Sequence, residues 1–389
     1  MNAPGVSGAS LGGPSRADRG PASSTSPRED DHARGAPAHF IPTVDYEIFG
    51  DGSGCVDACV IQPAERLLAM AERHAVRLTL FVEALEFRTM ERAGGRAAET
   101  ADRVRAQLVD AVHRGHDLQL HIHPQWLGAE IEPDSGWRLD LRRWRLGSLE
   151  RHDAEAALTT GLEWLSAVRE AAELHPAPIA FRAGGWCIQP SSIAAELLVE
   201  HGLRVESSVA PGLGKPSGGW YDFGVAPTTL GAWPVTEDVC APASAGRLLE
   251  VPIATGRLGW PRRLVEEASR RAARDGSLAP GCRGSYAGPG GAVGVLRGKL
   301  ARLRSAGTAM LDVCAFSGPV LVELARQWAD RRSVPGAPVP VVAIGHTKNF
   351  SRRAEKATEF LLSRLAGDPG FAFSTYGGWL RSRSGDARP

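Results

Sequence analysis

The 389-residue sequence lacks several features that would indicate particular classes of protein. No apolar run approaches the roughly 18 residues that a membrane-spanning helix needs. The formal net charge is only +1, which argues against wholesale binding to nucleic acid or to a membrane surface. No Gly-x-Gly-x-x-Gly follows any predicted strand, so the main indication of a dinucleotide site is missing.

Cysteine pairs and a secretion signal are also missing. Cys55 and Cys59 are four residues apart, but no second pair follows, so we expect buried free thiols rather than a zinc ribbon or a disulfide framework. Residues 1–38 are rich in Gly, Pro, Ala, Ser and charge, and they contain no apolar segment of the secretory type. We therefore interpret them as a disordered tail, and we expect the protein to be cytoplasmic.

Strand-like and helix-like segments alternate through the rest of the chain. The predicted strands are 39–47, 78–82, 117–123, 178–182, 203–209, 248–253, 339–344 and 371–375, and the predicted helices are 63–74, 97–114, 149–172, 191–200, 318–331 and 351–365. This order is typical of parallel strands with right-handed crossovers. We predict an α/β fold, a distorted (β/α) barrel of seven or eight strands with loop insertions.

The barrel is expected to span residues 39–380, followed by a C-terminal tail at 381–389. The segment 211–247 is rich in Gly and Pro, so we expect a long loop or insertion there. A second, Arg-rich insertion is expected at about 261–307. It is either solvated and partly disordered or in contact with an anionic leaving group.

The most informative stretch runs from Asp117 to His123, where polar and apolar residues alternate without a break. This period of two predicts a strand with Leu118, Leu120 and Ile122 on one face. The opposite face carries the polar residues, including His121 and His123, which are roughly 7 Å apart on such a strand. Both imidazoles can therefore converge on one ion.

Reactive side chains lie at the ends of four predicted strands. They are Asp45 with Glu47, His121 with His123, the run from Arg182 to Trp186, and the run from Gly345 to Lys348. Barrels of this kind place their active sites at the carboxyl ends of the strands.

Two neutral imidazoles and one carboxylate leave a position open for water on a divalent ion, and zinc is the default choice. A second carboxylate can act as general base, and an imidazole across the site can protonate the leaving group. The turn at Gly184 and Gly185 could present backbone N–H groups to an oxyanion.

The order of these segments resembles the polysaccharide deacetylases, a carbohydrate esterase family that removes acetyl groups from chitin, peptidoglycan and related sugars. Thr43-Val44-Asp45-Tyr46 resembles the family's Thr-Phe-Asp-Asp motif, with the second acid displaced to Glu47. The run from Gly115 to His121 looks like the second motif, whose first histidine binds metal. Arg182-Ala183-Gly184-Gly185 stands where Arg-x-Pro-Tyr would, and Ile344-Gly345-His346 is similar to the final Leu-x-His. The resemblance covers nearly everything after the N-terminal segment and implies a deacetylase-type barrel.

The resemblance also implies a role for each matching residue. Asp45 would be the catalytic base and His346 the general acid. Glu47 and His121 would bind the metal ion. Arg182 would keep Asp45 ionised and oriented through a charge-assisted hydrogen bond.

The chain departs from the family pattern at several positions. The family's second metal-binding histidine lies four residues after the first, where this chain has Gln125. Either His123 replaces it from the same strand face, which we favour, or Gln125 is the third ligand. Gly185 replaces the family's tyrosine, although its backbone N–H could still serve as an oxyanion donor. Trp126 and Trp186 follow two strand ends, where their rings either stack on substrate sugars or pack in the core.

We therefore expect a metal-dependent hydrolase that removes an acetyl or similar acyl group from an amino sugar or glycan intermediate. It would use one divalent ion, zinc by default or else cobalt or nickel, and a small-molecule or oligosaccharide substrate, with no nucleic-acid or membrane partner. Trp137 and Trp144 are expected to pack in a cap over the site, and Lys348 is expected to be exposed to solvent.

Two alternatives stay open. One is another metal-dependent amide hydrolase, of the allantoinase-like or amidohydrolase type, although amidohydrolases carry their His-x-His on the first strand. The other is a non-catalytic glycan-binding barrel, against which Asp45 and His346 argue because binding alone needs neither a base nor an acid.

Overall fold

Strands and helices alternate along most of the chain. The structure, a computed structural model, describes Met1 and residues 36–132, 136–173, 177–215, 220–272, 307–331 and 338–383. Within these ranges the strands are β1 (Ala38–Tyr46), β2 (Thr79–Glu83), β3 (Asp117–Ile122), β4 (Glu130–Glu132), β5 (Gly136–Arg138), β6 (Ala180–Ala183), β7 (Val205–Glu206), β8 (Gly214–Lys215), β9 (Tyr221–Asp222), β10 (Trp233–Val235), β11 (Leu248–Glu250), β12 (Thr255–Leu258), β13 (Gly307–Met310), β14 (Pro340–His346) and β15 (Phe371–Phe373). The helices are α1 (Gln62–Arg73), α2 (Ala84–Ala93), α3 (Gly95–His113), α4 (Arg151–Ala171), α5 (Ser192–Glu200), α6 (Trp260–Ala272), α7 (Gly318–Arg331), α8 (Arg352–Ala366) and α9 (Tyr376–Arg383).

One curved sheet forms the centre of the fold. Its strand order is β10-β11-β7-β6-β3-β2-β1-β14, and β15 also pairs with the start of β1. All neighbouring strands run parallel except β10 and β11. Just after β11, Ile253 forms a parallel bridge with Val342 of β14, and the N–H of Ala254 donates to the carbonyl of Val342 at 2.9 Å. The sheet therefore curls almost back onto itself, which confirms the predicted distorted barrel.

The two faces of β3 have the environments that its alternating sequence predicts. Leu118, Leu120 and Ile122 are fully buried. Helix α4 packs on this face at Gly161, where a Cβ atom would lie 3.0 Å from Cδ1 of Ile122. Because successive strand side chains point to opposite faces, His121 faces the barrel interior.

The structure differs from the predicted elements in several places. Helix α2, which the sequence does not predict, starts directly after β2, and the Glu83 side chain accepts a hydrogen bond from the N–H of Leu85 at 3.2 Å. The predicted strand 203–209 is reduced to β7, and beyond it the N–H of Ser208 donates to the Glu206 side chain at 3.0 Å. The segment 211–247 contains the β8–β9 hairpin and β10 as well as loops.

Some predicted boundaries fall outside the described residues. Residues 2–35 of the predicted N-terminal tail, residues 273–306 of the Arg-rich insertion and residues 384–389 lie there. The insertion begins as helix α6 rather than as an irregular segment, and the predicted C-terminal tail starts inside α9. None of the described helices has the length and apolar character needed to cross a membrane.

The expectation of buried cysteines holds for three of the five described ones. Cys59, Cys187 and Cys240 are buried, whereas Cys55 is exposed.

Candidate metal centre

Strand register brings the predicted residues to one end of the barrel. Asp45 of β1 is the partner of His346 of β14. His121 of β3 lies beside Glu83 of β2 on one side and Arg182 of β6 on the other. These positions are at the carboxyl ends of parallel strands, where barrels of this kind place their active sites.

Glu47, His121 and His123 direct polar atoms at one another. Oε2 of Glu47 lies 3.3 Å from Nδ1 of His123 and 3.6 Å from Nε2 of His121. These atoms, together with Nε2 of His123, have no hydrogen-bond partner among the described residues. One ligand atom from each of the three side chains and from Glu83 fits within a span of 4.8 Å. Since buried polar atoms are nearly always paired, this unpaired set of nitrogen and oxygen donors could hold a metal ion.

A hydrogen bond fixes the orientation of His121. Its Nδ1 lies 2.9 Å from the carbonyl oxygen of Arg182. A carbonyl can only accept, so Nδ1 carries a proton and Nε2 is the nitrogen that faces Glu47; Nε2 offers a lone pair to an ion once its own proton is lost. Metal-binding histidines are commonly oriented in this way, by a partner on the nitrogen that does not bind the ion.

His123 is fixed by close packing. Its ring lies so near the Cα of Gly184 that a Cβ there would be 2.7 Å from Nε2. On another side the ring contacts Trp144, with centroids 5.3 Å apart. The backbone N–H of His123 donates to Oε2 of Glu83. The position after β3 is therefore held by Gly184, Trp144 and Glu83 together.

Asp45 is the centre of a second set of contacts. Its Oδ1 accepts a hydrogen bond from Nη1 of Arg182 at 2.7 Å, and its Oδ2 lies 3.5 Å from Nε2 of His346. Arg182 is fully buried, with further bonds to Thr43 Oγ1 and the Ser207 carbonyl, both at 2.9 Å. The side chain of His346 is 12% exposed, so it lies between the buried carboxylate and solvent.

Charge sets the protonation of the two carboxylates. Burial alone would raise the pKa of Asp45, but the charges of Arg182, His121 and His346 together hold it below its ordinary value. Burial opposes ionisation of Glu47 too, yet Lys348 and the two imidazoles hold its pKa well below the ordinary value. Both carboxylates are therefore ionised at neutral pH.

The two imidazoles differ from each other. Burial would lower the pKa of His121, but the carboxylates of Asp45, Glu47 and Glu83 outweigh it and raise the pKa to about 9. Burial lowers the pKa of His123 to about 3, and the neighbouring His121 and Lys348 add to this effect against the opposing charge of Glu47. Without an ion, the pair thus carries one proton more than two neutral imidazoles.

The other predicted site residues, Trp186, Gly185 and Gln125, have different surroundings from one another. The half-buried Trp186 lies beside His346, with ring centroids 6.2 Å apart, and its backbone has the unusual φ of 59° for a non-glycine residue. It follows Gly185, whose φ is 58°. Nε2 of the buried Gln125 donates to the Gly50 carbonyl at 3.0 Å, and its Oε1 has no partner among the described residues.

The substrate-binding role considered for Trp126 is corrected by the structure, which places this residue in the core. It is 1% exposed, and its ring packs edge-on against Trp137 with centroids 5.3 Å apart. The one-turn helix Pro124–Trp126 directs it into the core, so it has no free face for a sugar. Trp137 therefore packs on a core residue, whereas Trp144 covers His123 as a cap residue would.

Lys348 is placed differently from its prediction, and Glu83 and Glu86 are candidates that the sequence prediction lacks. Nζ of Lys348 lies 2.6 Å from Oε1 of Glu47, and its side chain is only 12% exposed, so the expectation of solvent exposure is wrong. Glu83 and Glu86 are also buried beside the site. Burial raises the pKa of Glu83 to about 8, and burial together with the charge of Glu83 raises the pKa of Glu86 well above its ordinary value. The sequence gives little indication of Glu83 and Glu86: the first directly follows the predicted strand 78–82, and the second comes three residues later.

No protein-family model matches the sequence, and no curated protein does. Several solved structures are similar to it. A protein of Mycobacterium smegmatis assigned as a polysaccharide deacetylase is 14% identical over 91% of this chain and 96% of its own, with a TM-score of 0.47. The PuuE allantoinase is 11% identical over 90% and 91% of the two chains, with a TM-score of 0.46. A protein of Pseudomonas aeruginosa PAO1, also assigned as a polysaccharide deacetylase, is 12% identical over 90% and 91%, with a TM-score of 0.44. Because all three TM-scores are below 0.5, the chemistry of this chain has to be inferred from its own side chains.

Proposed function

We propose that the chain is a metal-dependent hydrolase that removes an acetyl or similar acyl group from an amino sugar or glycan intermediate. The observation that carries this proposal is the convergence of unpaired, buried donor atoms on Glu47, His121 and His123. They lie next to a second carboxylate, Asp45, that is held ionised.

Glu47, His121 and His123 would hold the ion, with zinc as the default and cobalt or nickel as alternatives. Two imidazoles and one carboxylate form a ligand set that catalytic zinc sites use, and such a set leaves a position open. A bound divalent ion would polarise the acyl carbonyl and lower the pKa of a bound water. His123 is preferred over Gln125 because Nδ1 of His123 lies 3.3 Å from Oε2 of Glu47 and has no hydrogen-bond partner among the described residues.

Asp45 is proposed as the general base and His346 as the general acid. Arg182 binds Oδ1 of Asp45, which leaves Oδ2 to accept the proton of the attacking water. His346 is the more exposed partner, so it can reach the leaving nitrogen or oxygen and donate a proton to it. Arg182 acts through Asp45 by fixing its orientation and its charge.

The aromatic residues near His346 suit a sugar. Trp186 packs edge-on against Tyr221, with ring centroids 5.7 Å apart, and Tyr221 stacks on Phe223 at 4.9 Å. Aromatic rings beside a partly exposed acid could contact the apolar face of a sugar ring. The backbone N–H of Gly185 is the proposed oxyanion donor. The cytoplasmic location expected from the sequence stays a prediction.

Metal analysis of the purified protein tests the ligand assignment. Wild-type protein is expected to retain about one equivalent of zinc, cobalt or nickel, and His121→Ala is expected to lose it because a three-ligand set loses one donor. His152→Ala is the matched control, since His152 is an exposed histidine on α4. Equal metal contents in wild type and His121→Ala would refute the assignment.

Release of acetate from N-acetylhexosamines and their oligomers tests the reaction. Asp45→Asn is expected to abolish it while metal content stays unchanged, because the amide cannot accept the proton of water. Asp102→Asn, on the exposed side of α3, is the control. Turnover that persists in Asp45→Asn would remove Asp45 as the base. Ring opening of a cyclic amide such as a hydantoin, with no acetate released from the acetylated sugars, would favour the allantoinase-like alternative.

A further inference from the structure

Lys348 has an unusual position for a lysine two residues beyond a strand. Its side chain is 12% exposed and points back to β1. Nζ donates to Oε1 of Glu47 at 2.6 Å and to the carbonyl oxygen of Ile48 at 3.2 Å, and it lies 5.7 Å from the centroid of the Phe49 ring. The ammonium is therefore held by two oxygens and one aromatic face.

This contact divides the two oxygens of Glu47 between different partners. Oε1 binds Lys348, whereas Oε2 faces His121 and His123. Carboxylates bind metal ions through one oxygen or through both. If Glu47 turned both oxygens to an ion, Lys348 would lose its only carboxylate partner among the described residues, and an incompletely paired buried charge is costly.

We infer that Lys348 is a positioning residue that restricts Glu47 to one-oxygen contact with the metal ion. This keeps the ligand set at two imidazoles and a single carboxylate oxygen, so that positions stay open for water and for the acyl carbonyl. Its positive charge also offsets the charge of Glu47, which weakens the hold on a divalent cation. The inference rests on the proposed function, because it assumes that an ion binds between Glu47 and the imidazoles.

Titration with cobalt(II) tests the inference without any substrate. The visible absorption of cobalt(II) is strongest when four ligands surround it and falls as further ligands are added, so it reports the coordination number. We would compare wild type, Lys348→Met and Lys348→Arg, with far-UV circular dichroism and a urea unfolding curve for each. Lys348→Arg keeps a cation within reach of Oε1 and is the conservative variant.

In Lys348→Met we expect a weaker and shifted absorption band, because Glu47 can then add its second oxygen. We also expect a dissociation constant for cobalt(II) that is lower by about tenfold or more, because a nearby positive charge is gone. Lys348→Arg should retain the wild-type band. A merely structural role of Lys348 would lower stability without changing the spectrum.

The remaining outcomes distinguish a failure of the inference about Lys348 from a failure of the proposed function. If wild type binds cobalt(II) and Lys348→Met has the same spectrum and affinity, the inference is wrong and the proposed function survives. If only Lys348→Met binds, Lys348 excludes the ion from the wild-type site, and both the inference and the proposed function fail. If neither protein binds cobalt(II), zinc or nickel, the proposed function itself fails.

Discussion

Gly184→Ala gives the sharpest test of how the metal centre is built. A Cβ at position 184 would lie 2.7 Å from Nε2 of His123, and closer still to Cδ2 and Cγ of that ring. Non-bonded heavy atoms pack at about 3.5–4.0 Å, so the ring has to retreat by roughly 1 Å or more. It has little room to do so, because Trp144 lies against it and Oε2 of Glu47 is 3.3 Å from Nδ1.

Two effects of different size follow from this displacement. Overpacking a buried site costs about 1–3 kcal/mol of stability, which a barrel with an extensive core tolerates. Metal–ligand distances tolerate only about 0.2 Å, so a displaced His123 is lost as a ligand. Changes to residues that support a metal ligand weaken binding by about tenfold to a hundredfold, and we expect Gly184→Ala to reach at least that range.

The assay combines a zinc or cobalt(II) binding isotherm with a urea unfolding curve. Gly367→Ala is the matched control. Gly367 follows the last residue of α8 with a φ of −91°, and a Cβ there would lie 3.9 Å from the carbonyl oxygen of Ser363, an ordinary contact distance. This variant should leave metal binding unchanged. Wild-type metal affinity in a folded Gly184→Ala protein would refute the placement of His123 as a ligand.

Three further predictions follow from the same contacts. The pKa of His121 is raised to about 9 in the metal-free protein, so zinc binding at pH 7.5 should release about one proton. Calorimetry in buffers of different ionisation enthalpy measures this release, and its absence would contradict the prediction. The charged form of His121 correspondingly stabilises the metal-free fold at pH values below about 6.5, and this contribution is lost as the pH rises through about 9. Arg182→Met removes the guanidinium from the buried Asp45 carboxylate, so we expect a loss of about 3–5 kcal/mol in urea unfolding, whereas the exposed Arg142→Met should leave the unfolding curve unchanged. Trp186→Ala should raise KM for an acetylated sugar several-fold more than Trp186→Phe does, and equal KM values in the two variants would remove the stacking role.

The strands that carry the site are predictable because their patterns are local. Alternation from Asp117 to Ile122 fixes which face of β3 meets helix α4, and therefore where His121 points. The parallel pairing of β1 with β14 then places Asp45 beside His346. Residues that belong to regular strands could thus be assigned to one end of the barrel from the sequence.

What the sequence does not reveal depends on contacts between distant segments. The burial of Lys348 is decided by Glu47, which lies 301 positions away in the chain. The one-turn helix after His123 sends Trp126 into the core, and nothing in the local composition distinguishes that from an exposed turn. Helix α2 follows β2 without an intervening loop. No Gly or Pro, the residues that usually mark such a boundary in a sequence, stands at its N-cap residue Glu83.

The bond between Arg182 and Asp45 has a consequence beyond catalysis. Along the sheet, β6 and β1 are separated by β2 and β3. The guanidinium of Arg182 therefore connects two strands that are not neighbours, across the interior of the barrel. Backbone pairing on the far side of the barrel involves few residues: Ile253 and Ala254 meet Val342, and residues 311–313 pair with Ala254 and Ile344. The side chain that orients the proposed base therefore also ties β6 to β1 and to the Ser207 carbonyl after β7, so it contributes to the fold as well as to the proposed reaction.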